Sequence, residues 1–161
     1  MDDAMTNWLR WTAPAVMAIS AVCPAQAVEY LSVSAAQKLA FPSATRFAEL
    51  EAGRSWKALA GDRLLGLFVL DHVIGKHLYI DYAVSLETSG RIHRVDILQY
   101  RESYGGEVRS ESWLGQFVGK TTGNQLKVGA DIRNISGATL SSLHVTEGVK
   151  RILAAYGTSS R

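Results

Sequence analysis

At 161 residues, 47% of them hydrophobic and 20% charged, with a formal net charge of +2, the chain has the make-up of one ordinary globular domain. Lys and Arg are interspersed with Asp and Glu rather than gathered into a basic stripe, which argues against nucleic acid as a partner. Cys23 is the single cysteine, so a disulfide partner within the chain and a cysteine-based metal site are both excluded.

The segment from Trp11 to Ala27 contains no charged residue and closes on Ala25-Gln26-Ala27, the small-x-small pattern of a signal peptidase site. Residues 1–27 are therefore expected to be a cleavable signal peptide and residues 28–161 the functional domain, placed in the periplasm. The alternative is an uncleaved N-terminal anchor facing the periplasm, although the apolar run falls short of the roughly 20 residues that span a bilayer. Asp2 and Asp3 are unusual in an export signal; a start at Met5 would leave a positive leader through Arg10. Acylation at Cys23 is disfavoured by the bulky Val22 before it.

From Val28 onward, Ser32 and Ser34 are N-cap candidates for a short helix over Ala35 to Ala40, which Pro42 should stop. A second short helical piece is expected near Thr45 to Leu50. The pattern then changes to strands: Leu64 to Val73, a Gly75-Lys76 turn, and His77 to Leu86, in which Leu78, Ile80, Tyr82, Val84 and Leu86 alternate. After Thr88-Ser89-Gly90, another strand runs from Ile92 to about Arg101. Consecutive strands joined by tight turns imply an antiparallel meander. Beyond Gly105-Gly106, Ser110 to Val118 reads as helical, and Gln125 to Val128 as a short strand. The last element is a helix after Thr139, with Val145, Val149, Ile152 and Leu153 on one face, Lys150 and Arg151 toward its end, and Gly157 as its stop. The fold class is α+β, an antiparallel sheet with helices packed on it.

Ser136-Gly137-Ala138-Thr139-Leu140-Ser141-Ser142 stands at the entrance to that last helix. Hydroxyls, small residues and the free N–H groups of a helix N-terminus together suit a phosphate. The same residues also suit a simple N-cap, and spacing does not separate the two. His72, His77, His93 and His144 show no ligand spacing on one helix face, so no haem or metal site is expected.

The stretch Ser136-Gly137-Ala138-Thr139 followed by Leu140-Ser141-Ser142 resembles the flavinylation motif of FMN-binding domains, such as those in the sodium-translocating NADH:quinone reductase and its Rnf relatives. Leu39-Ala40-Phe41-Pro42, Ile74-Gly75-Lys76-His77, Tyr100 to Val108, Trp113-Leu114 and Phe117 to Lys120 are similar to small stand-alone periplasmic members. The resemblance implies FMN bound covalently through a phosphoester on Thr139, installed by an FAD:protein FMN transferase. It further implies an electron carrier between a membrane-bound redox partner and a periplasmic acceptor. One departure is visible: the family's usual acidic residue three positions before Ser136 is Arg133 here, with Asp131 two residues earlier. Glu102, Tyr104, Trp113 and Lys120 are candidates for lining the flavin, Trp113 by stacking on its ring and Glu102 by accepting from a flavin N–H or a ribityl hydroxyl. Two other functions compete, a flavin-dependent reductase of a small substrate and a module that holds FMN noncovalently.

Overall fold

A computed structural model of the chain describes residues 28–158; the expected export signal, its cleavage site and Cys23 lie outside the described residues. Six strands form one antiparallel sheet: β1 (Val28–Glu29), β2 (Arg46–Glu51), β3 (Ser55–Ala60), β4 (Arg63–Ile74), β5 (Tyr79–Glu87) and β6 (Ile92–Tyr100). Their order is β1-β6-β5-β4-β3-β2, so β2 to β6 make an up-and-down meander and β1 closes the far edge beside β6. Three α-helices, α1 (Val33–Ala40), the single turn α2 (Glu111–Leu114) and α3 (Thr139–Tyr156), complete the α+β fold.

The central strands explain the sheet's two cores. Along β5, Ile80, Tyr82, Val84 and Leu86 point to one face, where they are buried with Val145, Val149, Ile152 and Leu153 of α3. Ala83 and its neighbours Phe68 and Leu98 point to the other face, under Ala36, Ala40 and Phe41 from α1 and its end. Both faces of β4 and β5 are covered, which is why β4 reads as a continuous apolar run rather than a clean alternation. Gly66 lets the Phe41 ring lie directly on β4, since a Cβ there would stand 2.7 Å from the ring.

Ser32 caps α1, its Oγ accepting from the N–H of Ala35 at 3.3 Å, and the helix ends before Pro42 as expected. The helical piece expected near Thr45 to Leu50 is instead the edge strand β2. Its Ala, Glu and Leu tolerate a helix, but pairing with β3, whose existence the sequence reading missed, decides the conformation. Residues 110–118 form α2 followed by a 3₁₀ turn over Gly115–Phe117, with Trp113, Leu114 and Phe117 buried. Gln125 to Val128 is not a strand: Leu126 sits at φ 46° and only an isolated bridge joins Val128 to Ile132. Among the described residues, no helix is long and apolar enough to cross a membrane.

The contact that seats α3 is the close approach of Gly148 to Tyr82, where a Cβ would run into the Tyr82 hydroxyl. That hydroxyl donates to Asp71 Oδ2 at 3.0 Å, and Arg151 Nη2 donates to the same oxygen at 2.6 Å. Arg151 thus ties α3 to β4, and it lies before the final turn, which holds no basic residue to meet the helix dipole. Burial opposes ionisation of Asp71, but the bonds from Arg151, the His72 N–H and Tyr82 outweigh it and hold the carboxyl below its ordinary value. Burial first, and then the Asp71 charge, push the Tyr82 phenol far above its usual range, so it stays a donor. Gly148→Ala should lower stability by roughly 1–3 kcal/mol, the usual cost of forcing an extra carbon into a filled core. Denaturant unfolding measures this, and a variant as stable as the native chain would show that α3 seats otherwise.

Candidate functional site

The N-terminus of α3 opens onto a cleft of about 490 Å³, between the β4–β5 turn, the segment after β6 and the loop before the helix. Lys76 and His77 come from the turn, Glu102, Ser103 and Tyr104 from the segment after β6, and Gly137 to Ser141 from the helix entrance. Local chemistry shapes this entrance. Gly137 takes φ 84°, a left-handed turn that glycine adopts without strain, and α3 then starts at Thr139. The N-cap is Ala138, which has no side chain able to cap, and no side-chain bond closes the helix start. The simple N-cap that the Ser and Thr residues suggested is therefore not made.

The hydroxyls of this segment divide sharply. Ser142 is fully buried and donates back to the carbonyl of Ala138 at 2.9 Å, and Thr146 likewise donates to the carbonyl of Ser142 at 2.7 Å. Ser141 is buried and shares a 3.3 Å hydrogen bond with the Tyr100 hydroxyl. Ser136 is exposed but stands outside the cleft lining. Of the hydroxyls at positions 136 to 142, Thr139 is the one both exposed and on the cleft, and its Oγ1 accepts from Asn134 Nδ2 at 3.2 Å. Leu140 beside it is also exposed, and Tyr104 on the opposite rim is 87% exposed.

Glu102 lines the cleft, as expected, and one of its carboxylate oxygens is already engaged. Its Oε1 accepts from the N–H groups of Lys76, His77 and Leu78 at 2.6, 2.5 and 2.8 Å. Burial would raise this carboxyl, yet the N–H groups of Leu78, His77 and Lys76 and the nearby His77 side chain prevail and hold it below its ordinary 4.5. Trp113 does not line the cleft: it is 4% exposed, packed edge-on against Phe117, with Nε1 donating to the Arg133 carbonyl at 2.8 Å. It is a core aromatic in this fold.

Lys120 also lies away from the cleft, half-buried and paired with Asp131 at 3.3 Å. Asp131 accepts from the N–H groups of Lys127 and Leu126 at 2.8 and 3.1 Å, and Lys127's N–H foremost keeps its carboxyl below the ordinary value. Asp131 thus organises the turn that carries Leu126. Arg133 donates through its backbone N–H and Nε to Gln116 Oε1, at 2.8 and 3.2 Å. Sequence reasoning missed Lys76, His77, Ser103, Asn134 and His144. Lys76 was legible as a turn residue and His77 as the start of the next strand; that strand begins only at Tyr79, and the folded hairpin brings both residues to the helix entrance.

Residues 75–154 match the family model described as the FMN-binding domain. This part of the chain is an FMN-binding domain. The match runs from the turn that forms one wall of the cleft into the last turn of α3. No curated protein matches the chain. Among solved structures it is similar to NqrC of Shewanella oneidensis, at 16% identity and a TM-score of 0.47, over 74% of this chain and 68% of that one.

The residues present fit the family's ligand. The cleft lies in the size range of cofactor sites, a Cβ at Gly137 would meet nothing within 4 Å, and the helix entrance is uncapped. The pH dependence of the turn follows from Glu102. Because its folded value is depressed, the stability it contributes is fully present above the ordinary carboxyl value and is lost as pH falls through the folded value. The amide signals of Lys76, His77 and Leu78 should therefore titrate together with a midpoint below 4.5. In Glu102→Gln that shared titration should vanish, and its persistence there would assign it to another group.

Proposed function

We propose that this protein is an exported electron carrier holding FMN covalently through a phosphoester on Thr139. The observation that carries the reading is the sorting of hydroxyls at the helix entrance of an FMN-binding domain. Ser141 and Ser142 are buried and bonded inward, Ser136 stands off the cleft, and Thr139 alone of the four motif hydroxyls is exposed on it. The attachment needs an accessible hydroxyl and a partner enzyme, an FAD:protein FMN transferase. The Thr139 oxygen forms a bond to the FMN-side phosphorus of FAD, the bond from that phosphorus to the AMP oxygen breaks, AMP leaves, and the hydroxyl proton passes to solvent or to the transferase.

The roles of the chain's own groups follow from their places. Asn134 Nδ2 donates to Thr139 Oγ1 and so orients the hydroxyl while leaving its proton free to depart. The uncapped N–H groups of the first turn of α3 favour a phosphodiester there by about 0.3–1 kcal/mol, too little to retain the cofactor without the covalent bond. Lys76 and His77 give the cleft basic groups, and the one carboxylate on its wall, Glu102, has its charge occupied by backbone N–H groups. FMN when bound supplies one- and two-electron chemistry; the protein supplies attachment and surroundings.

Export with cleavage after Ala27 puts the domain in the periplasm, and a membrane-bound redox partner is its electron donor or acceptor. Covalent attachment suits a compartment that does not retain free flavin. Thr139→Val keeps the side chain's shape and should abolish flavin fluorescence on a denaturing gel, whereas Thr139→Ser should keep part of it. A fluorescent Thr139→Val band would overturn the assignment. A native protein that loses all its flavin on denaturation would make it a noncovalent binder.

A further inference from the structure

The Gly75–Leu78 turn between β4 and β5 is held from several sides. Glu102 takes the N–H groups of Lys76, His77 and Leu78 on one carboxylate oxygen. From α3, His144 Nδ1 lies 2.6 Å from the carbonyl of Ile74 and 3.0 Å from that of Gly75. Both are acceptors only, so this nitrogen carries a proton and donates to them. Arg101 Nη1 donates to the carbonyl of Tyr79 at 3.2 Å, just past the turn. Gly75 completes the arrangement: it is buried, and a Cβ there would stand 2.9 Å from Glu102 Oε1 and 3.1 Å from its Cγ. The room a side chain would occupy at position 75 belongs to the carboxylate.

A hairpin tip carrying exposed Lys76, His77 and Leu78 would ordinarily be among the looser parts of a fold. Here both its donors and its acceptors are met by side chains from two other elements, one of them the helix that presents Thr139. Three N–H groups on one ionised oxygen are among the stronger hydrogen bonds available to a surface turn. We propose that Glu102 and His144 are positioning residues that build this turn as a preformed wall of the acceptor cleft. Flavin is then received by a site already in shape, and neither side chain has to touch it. Ordering the wall at folding removes an entropic cost from flavin docking. This inference rests on the flavin reading above.

The test uses the full chain, first without flavin and then after exposure to FAD and purified FAD:protein FMN transferase. Hydrogen exchange is followed at the amides of residues 76–78, flavin loading by intact mass, and the burial of attached flavin by iodide quenching of its fluorescence. In Glu102→Ala and Gly75→Ala, exchange at these amides should rise at least about tenfold, as for loss of a hydrogen bond to a charged acceptor, with α3 unaffected. Loading should slow, and the flavin that does attach should be quenched more strongly. Glu102→Gln keeps an oxygen acceptor in place and should recover both properties toward native levels. Should Glu102→Ala loosen α3 as well, Gly75→Ala and the Gln rescue decide, since both leave a residue able to accept at position 102. Amides 76–78 that are unprotected in the native chain would overturn the proposal. So would a freed turn that loads and shields flavin as the native one does. A native chain that takes no flavin at all would overturn the parent reading instead, and its own mass would show this before any variant is compared.

Discussion

The seating of α3 on β4 and β5 is the constraint on which the rest of the molecule depends. Gly148 lets the helix axis come down onto the Tyr82 hydroxyl, and Val145, Val149, Ile152 and Leu153 fill the space on either side. Because Tyr82 is buried, its hydroxyl needs a partner, and Asp71 supplies one while accepting Arg151 from the helix above. Sheet and helix are thereby tied by packing and by a polar link at the same level. Rotating the helix to relieve one contact would break the other.

The chemistry of the helix entrance is a consequence of that seating. With the Val145 face turned to the sheet, the positions one turn earlier, Ser141 and Ser142, also face inward and satisfy their hydroxyls against Tyr100 and the Ala138 carbonyl. Thr139 falls on the outer side, beside exposed Leu140, and meets the cleft. Thus the orientation of the helix leaves one of several chemically similar hydroxyls exposed on the cleft. Gly105 contributes from the other side: at φ 85°, with no Cβ to strike the Tyr100 hydroxyl or Ala138, it lets the segment after β6 close against the helix entrance.

Much of this was legible in the sequence, and the reasons differ by element. Alternation along Ile80 to Leu86 and the spacing of Val145, Val149, Ile152 and Leu153 report burial directly, so the central strands and the last helix could be read with little ambiguity. The edge strands could not. Arg46 to Glu51 carries a sequence that a helix tolerates, and its conformation comes from pairing with a β3 that has only a weak signal of its own. The motif at 136–142 could be placed at a helix entrance because small residues and hydroxyls mark such an entrance locally, and the fold sets that entrance on a cleft. Trp113 misled because an aromatic near a motif looks the same in sequence whether it faces a cleft or the core. Glu102, His144 and Asn134 act through partners from 5 to 70 residues away, and such partners exist only once the hairpin and helix have met.

The most direct test of the account is to locate the flavin on the chain. Trypsin should release Asn134 to Lys150 as one peptide from native, flavin-loaded protein, bearing Ser136, Thr139, Ser141, Ser142 and Thr146 together. Fragmentation of that peptide by tandem mass spectrometry should place an FMN phosphoester on Thr139 and leave the other four hydroxyls unmodified. An FMN mass on any of the other four, or a peptide of unmodified mass from protein that is yellow before denaturation, would contradict it.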